Sequence, residues 1–188
     1  MDPLQALHHR RSTPSRLLTQ PGPDAGQLQA ILECAVRAPD HGNLTPWRFL
    51  TIQGDARLRL GDLLAHRSIE RNPAALPAVI EKDRQRFSYA PVILAVIARP
   101  TPGHKVPEHE QLSSGAAVCL LVLQAANALG FGAQWLTGWA AYDPVITGAL
   151  GLAGPERILG FIHIGTARDT VAERERPDPK TLLTDLRL

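Results

Sequence analysis

Val92 to Ala98, VILAVIA, and Glu110 to Leu129, EQLSSGAAVCLLVLQAANAL, are the two apolar stretches that decide the architecture. The first is short, β-branched and apolar at every position, the pattern of a strand buried on both faces. The second follows a loop over 99–108 and is apolar nearly all round, which predicts a helix running through the core. Ser113, Ser114, Gln124 and Asn127 interrupt its apolar run, which argues against a membrane span.

Elements of both kinds flank this pair. Asp2-Pro3 is a cap and first-turn pair that opens a short helix to about His9. Residues 13–26, with Pro14, Pro21, Gly22, Pro23 and Gly26, read as a connecting loop. Asp24 caps a helix whose Leu28, Ile31, Leu32 and Ala35 recur at helical spacing, and Pro39 ends it. Trp47 to Gln53 reads as a strand. Gly54-Asp55 begins a helix that turns Leu60, Leu63 and Leu64 inward. After the long helix, Gly130 to Gly132 is a stop, 133–137 a strand, Asp143-Pro144 the start of a helix ending at Gly151, and Ile158 to Ile164 a final core strand. Helices and strands mix without a regular βαβ repeat, so the fold class is α+β. Residues 68–90 carry Pro73, Pro77 and the charged run Glu81-Lys82-Asp83-Arg84 around few apolar anchors. They suit a mobile cover over an active site and, equally, a solvated helix-turn excursion. The tail, 167–188, is a polar C-terminal arm with a late apolar pair, Leu182 and Leu183.

With 188 residues the chain has the length of about one domain, and folding buries enough surface to need no disulfide or structural metal. Hydrophobic residues are 44% and charged ones 20%, which excludes a disordered or fibrous chain. A net charge of +2 gives no large single-sign field, so nucleic acid is not an expected partner. The first residues, MDPLQALHHRRS, have no apolar core of signal-peptide length. Cys34 and Cys119 form no C-x-x-C pair and read as small buried hydrophobes of a reducing cytoplasm.

Phosphate-loop, dinucleotide, zinc-protease and serine-hydrolase motifs are all absent. His104, Glu108 and His109 resemble metal ligands, but their spacing fits neither helical zinc motif and Pro107 intervenes. No metal and no acid–base catalytic residue is expected. Three segments are polar where local pattern does not require it. Arg10-Arg11-Ser12 offers two guanidinium forks and a hydroxyl to an anion such as a phosphate monoester, or simply matches a helix C-terminus. Arg37 to Trp47, RAPDHGNLTPW, sets Asp40, His41, Gly42 and Asn43 between prolines, which suits a planar ligand or an ordinary turn. Trp135 to Gly138, WLTG, ends a strand in an indole, a hydroxyl and a glycine.

Taken in order, these segments resemble the nitroreductase family of flavin-dependent oxidoreductases, and within it the small YdjA-like branch. The resemblance runs from Met1 to about Asp178. It rests on RRS at 10–12, RAPDHGNLTPWRF at 37–49, HKVPEHEQLSSGAAV at 104–118, GFGAQWLTG at 130–138 and GFIHIGT at 160–166. It implies a central, mostly antiparallel sheet flanked by helices, and a homodimer with FMN at the subunit interface, contacted by both chains. Arg10, Arg11 and Ser12 would hold the phosphate and nearby oxygens. Arg37, Pro39, Asp40, His41 and Asn43 would border the isoalloxazine, with Trp135, Leu136 and Thr137 along the opposite edge. Arg174 or Arg176 stands where many members place a second basic phosphate ligand. Leu136 departs from the polar or basic residue expected there, and Thr45 from the glutamine often found. The implied activity is ping-pong hydride transfer from NADPH or NADH through the flavin to a nitroaromatic, quinone or similar small acceptor, in the cytoplasm and away from membranes. A flavin-sequestering or regulatory protein without nicotinamide turnover is the alternative, and a helical interaction scaffold without chromophore a third reading.

Overall fold

The sheet is organised by the seven-residue strand β3 (Val92–Ala98), every residue of which is buried. In this computed structural model, which describes residues 2–186, β3 lies between β2 (Trp47–Gln53) and β5 (Arg157–Ala167). Trp47 faces Ala98 and Gln53 faces Val92 on one side, while Val92 faces Ile164 on the other. A register shift falls between Val96 and Ile97. β5 also pairs with β4 (Gly132–Leu136) and with the two-residue β1 (Leu18–Thr19). All four pairings are antiparallel, which is the α+β sheet expected from the sequence.

Because successive strand residues point to opposite faces, β3 supplies two cores at once. Ile93, Ala95 and Ile97 pack with Leu60, Leu64, Phe87, Ile146 and Phe161 under α3 (Asp55–Arg71) and α6 (Pro144–Ala149), while α4 (Pro77–Arg84) lies against α3. Leu94 and Val96 pack with Ile31, Trp47, Val118, Val122 and Ile162 under α2 (Ala25–Ala35) and α5 (Glu108–Ala128). A short α1 (Pro3–His9), opened by Asp2, precedes them. The α5 helix is long and apolar enough to cross a membrane, yet half of it is buried inside this fold as a core helix. Gln111 on α5 is buried and ties the preceding loop to the helix, donating to Val106 O (3.0 Å) and accepting from Thr101 N–H (2.8 Å).

Several expectations change in detail. The loop at 13–26 contains a 3₁₀ turn, Ser15–Leu17, and the strand β1, because Leu18 is buried and Arg168 N–H reaches Leu17 O (2.9 Å). Two residues are too few for a period-2 pattern to show. Cys34 is exposed rather than buried, because α2 turns Ile31 and Ala35 inward; only Cys119 lies in the core. There, burial pushes its thiol up to about 12. Pro107 does not break α5 but occupies its N-cap position. Residues 68–90 fold as the end of α3, α4 and a 3₁₀ turn at Gln85–Phe87, with Phe87 fully buried. Residues 1, 187 and 188, the outermost parts of the resemblance and of the C-terminal arm, lie outside the described residues.

Candidate functional site

At the C-terminal end of α5 the chain gathers cations. Arg10 caps α1 and its Nη1 donates to Ser12 Oγ (3.4 Å). Arg11 Nη1 donates to His8 O (3.1 Å) and to Arg10 O (3.2 Å). Thr13 N–H donates to Ala133 O (2.9 Å) and Ser15 N–H to Gln134 Oε1 (2.6 Å), which lays this segment along the start of β4. The C-terminal arm then returns. Glu173 pairs with Arg11, accepts from Arg176 Nε (3.2 Å) and accepts from the Arg174 N–H (3.0 Å). Burial first, then the charges of Arg176, Arg11 and Arg174, hold Arg10 below its ordinary pKa. Four guanidinium groups thus share one corner. Beside them opens a cleft of about 630 Å³ lined by Arg10, Arg11, Gln124, Asn127, Phe131 and Arg168.

The Asp40–Asn43 loop is built quite differently. Asp40 Oδ2 accepts from Thr45 N–H (2.7 Å) and Asp40 O from Asn43 N–H (3.2 Å), closing a tight turn. Gly42, Asn43 and Thr45 all have positive φ, at 81°, 51° and 47°. For a β-branched threonine that conformation costs on the order of 1–3 kcal/mol, and such cost concentrates at ligand sites. Arg37, Pro39, His41 and Asn43 are exposed around it. His41 Nδ1 lies 2.7 Å from Glu110 Oε2 in the first turn of α5.

Trp135 and Leu136 end β4, and Thr137 follows them. The Trp135 indole lies over Gly160, where any Cβ would collide with the ring, and its Nε1 donates to Leu159 O (3.0 Å). That N–H is therefore spent within the sheet. Gly132, at the other end of β4, lines the arginine cleft, so Trp135 stands about 10 Å along the strand from it.

One chain does not bring all the expected residues together. Arg10 and Arg11 line the cleft with Gln124 and Asn127, and Ser12, Arg174 and Arg176 gather around Arg10, whereas His41 stands by Glu110. Along α5, Glu110 and Asn127 are about 25 Å apart at 1.5 Å per residue. The two halves of the expected flavin site lie at opposite ends of one helix.

Two groups of residues escape sequence reasoning. Gln124 and Asn127, in sequence mere interruptions of an apolar helix, line the cleft, and Asn127 Oδ1 is buried without a partner among the described residues. Beneath Gly138, Asp83 accepts from Arg86 Nη2 and from Trp139 Nε1, both at 3.1 Å. Behind them His163 stacks on Phe87, with ring centroids 5.7 Å apart, and neither of its buried ring nitrogens has a partner among the described residues. Burial, aided by the Arg86 charge, pushes His163 down to about 4. His104 Nδ1 is occupied locally, accepting from Val106 N–H (3.1 Å).

The fold is that of the nitroreductase-like α+β proteins. The nitroreductase-like protein of Bacillus cereus superimposes with a TM-score of 0.82 at 22% identity, over 97% of this chain and 95% of that one. A variant of the FMN and NADPH-dependent nitroreductase NfnB, derived from sphigopyxis sp. strain HMH, does so with a TM-score of 0.79 at 19% identity, over 98% of each chain. A family model described as "Nitroreductase family" matches residues 7–166, and the chain belongs to that family. It is 36% identical, over 98% of its length and 99% of the relative's, to an Escherichia coli (strain K12) protein named "Putative NAD(P)H nitroreductase YdjA".

Proposed function

We propose that this nitroreductase-family oxidoreductase is an FMN-dependent NAD(P)H enzyme that works as a homodimer, each flavin site being shared between two chains. The observation that carries this reading is the placement of the arginine corner and the Asp40–Asn43 loop at opposite ends of α5. A second copy, turned about a twofold axis, can set the loop of one chain against the arginines of the other. Apolar surface left open supports such a partner: Leu4 and Leu7 on α1, Leu120 on α5, and Leu182, Leu183 and Leu186 on the arm are all exposed.

The donor set fits FMN. Arg10, Arg11 and Arg176, with the Ser12 hydroxyl, offer charge-assisted bonds to a phosphate monoester. Trp135, Leu136 and Thr137 would run beside the ring; Leu136 is apolar, so its contribution there is its backbone. Arg37, Pro39, Asp40, His41 and Asn43 would come from the partner and close the other side. Bound there, FMN would supply hydride chemistry between NADPH or NADH and a nitroaromatic, quinone or similar small acceptor. Arg11 of one chain with Arg37 and His41 of the other would favour negative charge gathering on the ring. With two unpaired cysteines, one of them exposed, the reading places the enzyme in the reducing cytoplasm.

A visible absorption spectrum of purified protein, loaded with excess FMN and desalted, tests this. Retained flavin that NADPH or NADH bleaches without oxygen supports the reading and names the donor. Retained flavin that neither bleaches would point to a sequestering protein. A protein that is monomeric by light scattering while fully loaded with FMN would defeat the shared site.

A further inference from the structure

Glu173 stands where an anion belongs. Both of its carboxylate oxygens are engaged, by the Arg11 guanidinium, by Arg176 Nε at 3.2 Å and by the Arg174 N–H at 3.0 Å. These donors belong to the same corner as Arg10, whose charge is already opposed by burial and by its three arginine neighbours. Glu173 therefore answers two of the four guanidinium groups directly, those of Arg11 and Arg176; even with Asp169 on the cleft wall, the arginines outnumber the carboxylates there, a balance that a dianion fits better. The Glu173 side chain remains about half exposed, at 48%, so water competes for it and its hold is of the weak surface class. It can leave. Its place in sequence, within Glu173-Arg174-Glu175-Arg176, lets the same short run deliver both the cations and the carboxylate that offsets them.

We propose that Glu173 is a built-in counter-anion of the phosphate receptor: it holds Arg11 and Arg176 together without ligand and is displaced by an incoming phosphate monoester. The inference rests on the flavin reading above for the identity of the ligand, but on the arginine corner alone for its mechanism. Every phosphate-bearing ligand has to outcompete the same carboxylate, so Glu173 weakens all of them by one common factor. A flavin without phosphate does not enter that competition.

Glu173→Gln and Glu173→Ala apoproteins test it, with FMN, riboflavin and inorganic phosphate as probes, by flavin fluorescence quenching and by calorimetry. The expected result is FMN and inorganic phosphate both bound about fivefold or more tightly than by the wild type, by a similar factor, with riboflavin unchanged. Unchanged or weaker phosphate binding in both variants would overturn the proposal and make Glu173 a supporting strut. Riboflavin tightening as much as FMN would overturn it too, since the effect would not act through phosphate. If FMN binds none of the proteins while inorganic phosphate tightens in both variants, the flavin reading fails and the counter-anion stands.

Discussion

Arg10 is the residue on which the phosphate assignment turns, because it is half-buried in the arginine corner, is free of the Glu173 contact that occupies Arg11, and bonds to the Ser12 hydroxyl. Arg10→Ala is expected to weaken FMN binding by about 1.5–3 kcal/mol, the range of a charge-assisted bond, when titrated by fluorescence quenching. An unchanged dissociation constant would remove Arg10 from the site. His163 makes a different prediction, about stability. Its folded pKa, pushed down to about 4, lies below the ordinary 6.5 of an unfolded histidine, so the unfolded chain takes up the proton first as pH falls. Its contribution is complete above about pH 6.5 and is lost as pH falls from there toward 4, by about 3 kcal/mol in all. Urea unfolding across that range should show this loss, and His163→Leu should flatten it. An equally steep loss in the variant would assign the acid sensitivity elsewhere.

At the scale of elements, the 3₁₀ turn Gln85–Phe87 joins the cover-like segment to the core. Phe87 is fully buried, with its ring edge-on to Phe161 at 5.0 Å. Phe87→Ala should cost about 3–5 kcal/mol in chemical unfolding, and a loss under 1 kcal/mol would mean the segment is only loosely held. This segment also shows what the sequence conveyed and what it did not. VILAVIA announced a doubly buried strand because every position is apolar, and the all-round apolar helix announced α5 for the same reason. Phe87 was illegible because one aromatic among charged residues has no period. The short β1 exists only through its pairing with Thr166 and Ala167, a contact across most of the chain. In the candidate site the arginines, the Asp40–Asn43 loop and the WLTG segment stood out as local clusters. Glu173, Gln124 and Asn127 acquire meaning only once the arm and α5 meet around the cleft.

For the whole molecule, the proposed shared site makes each chain the carrier of two unlike halves, the arginine corner at one end of α5 and the Asp40–Asn43 loop at the other. Arg10→Ala disables one half and Asn43→Ala the other, so either variant alone should lose flavin. Mixed and allowed to exchange partners, the two should recover flavin on about a quarter of the total sites, because each mixed dimer rebuilds one intact site and doubles the damage at the other. No recovery in dimers shown to be mixed would mean that the halves do not meet across an interface. The separation along α5 has a further consequence. In the proposed shared site, holding the cofactor and holding the partner are one equilibrium, so protein concentration itself should govern the yellow colour. Diluted below the point where chains separate, the protein should fade as its pigment escapes to solvent, and added FMN should draw lone chains back into pairs.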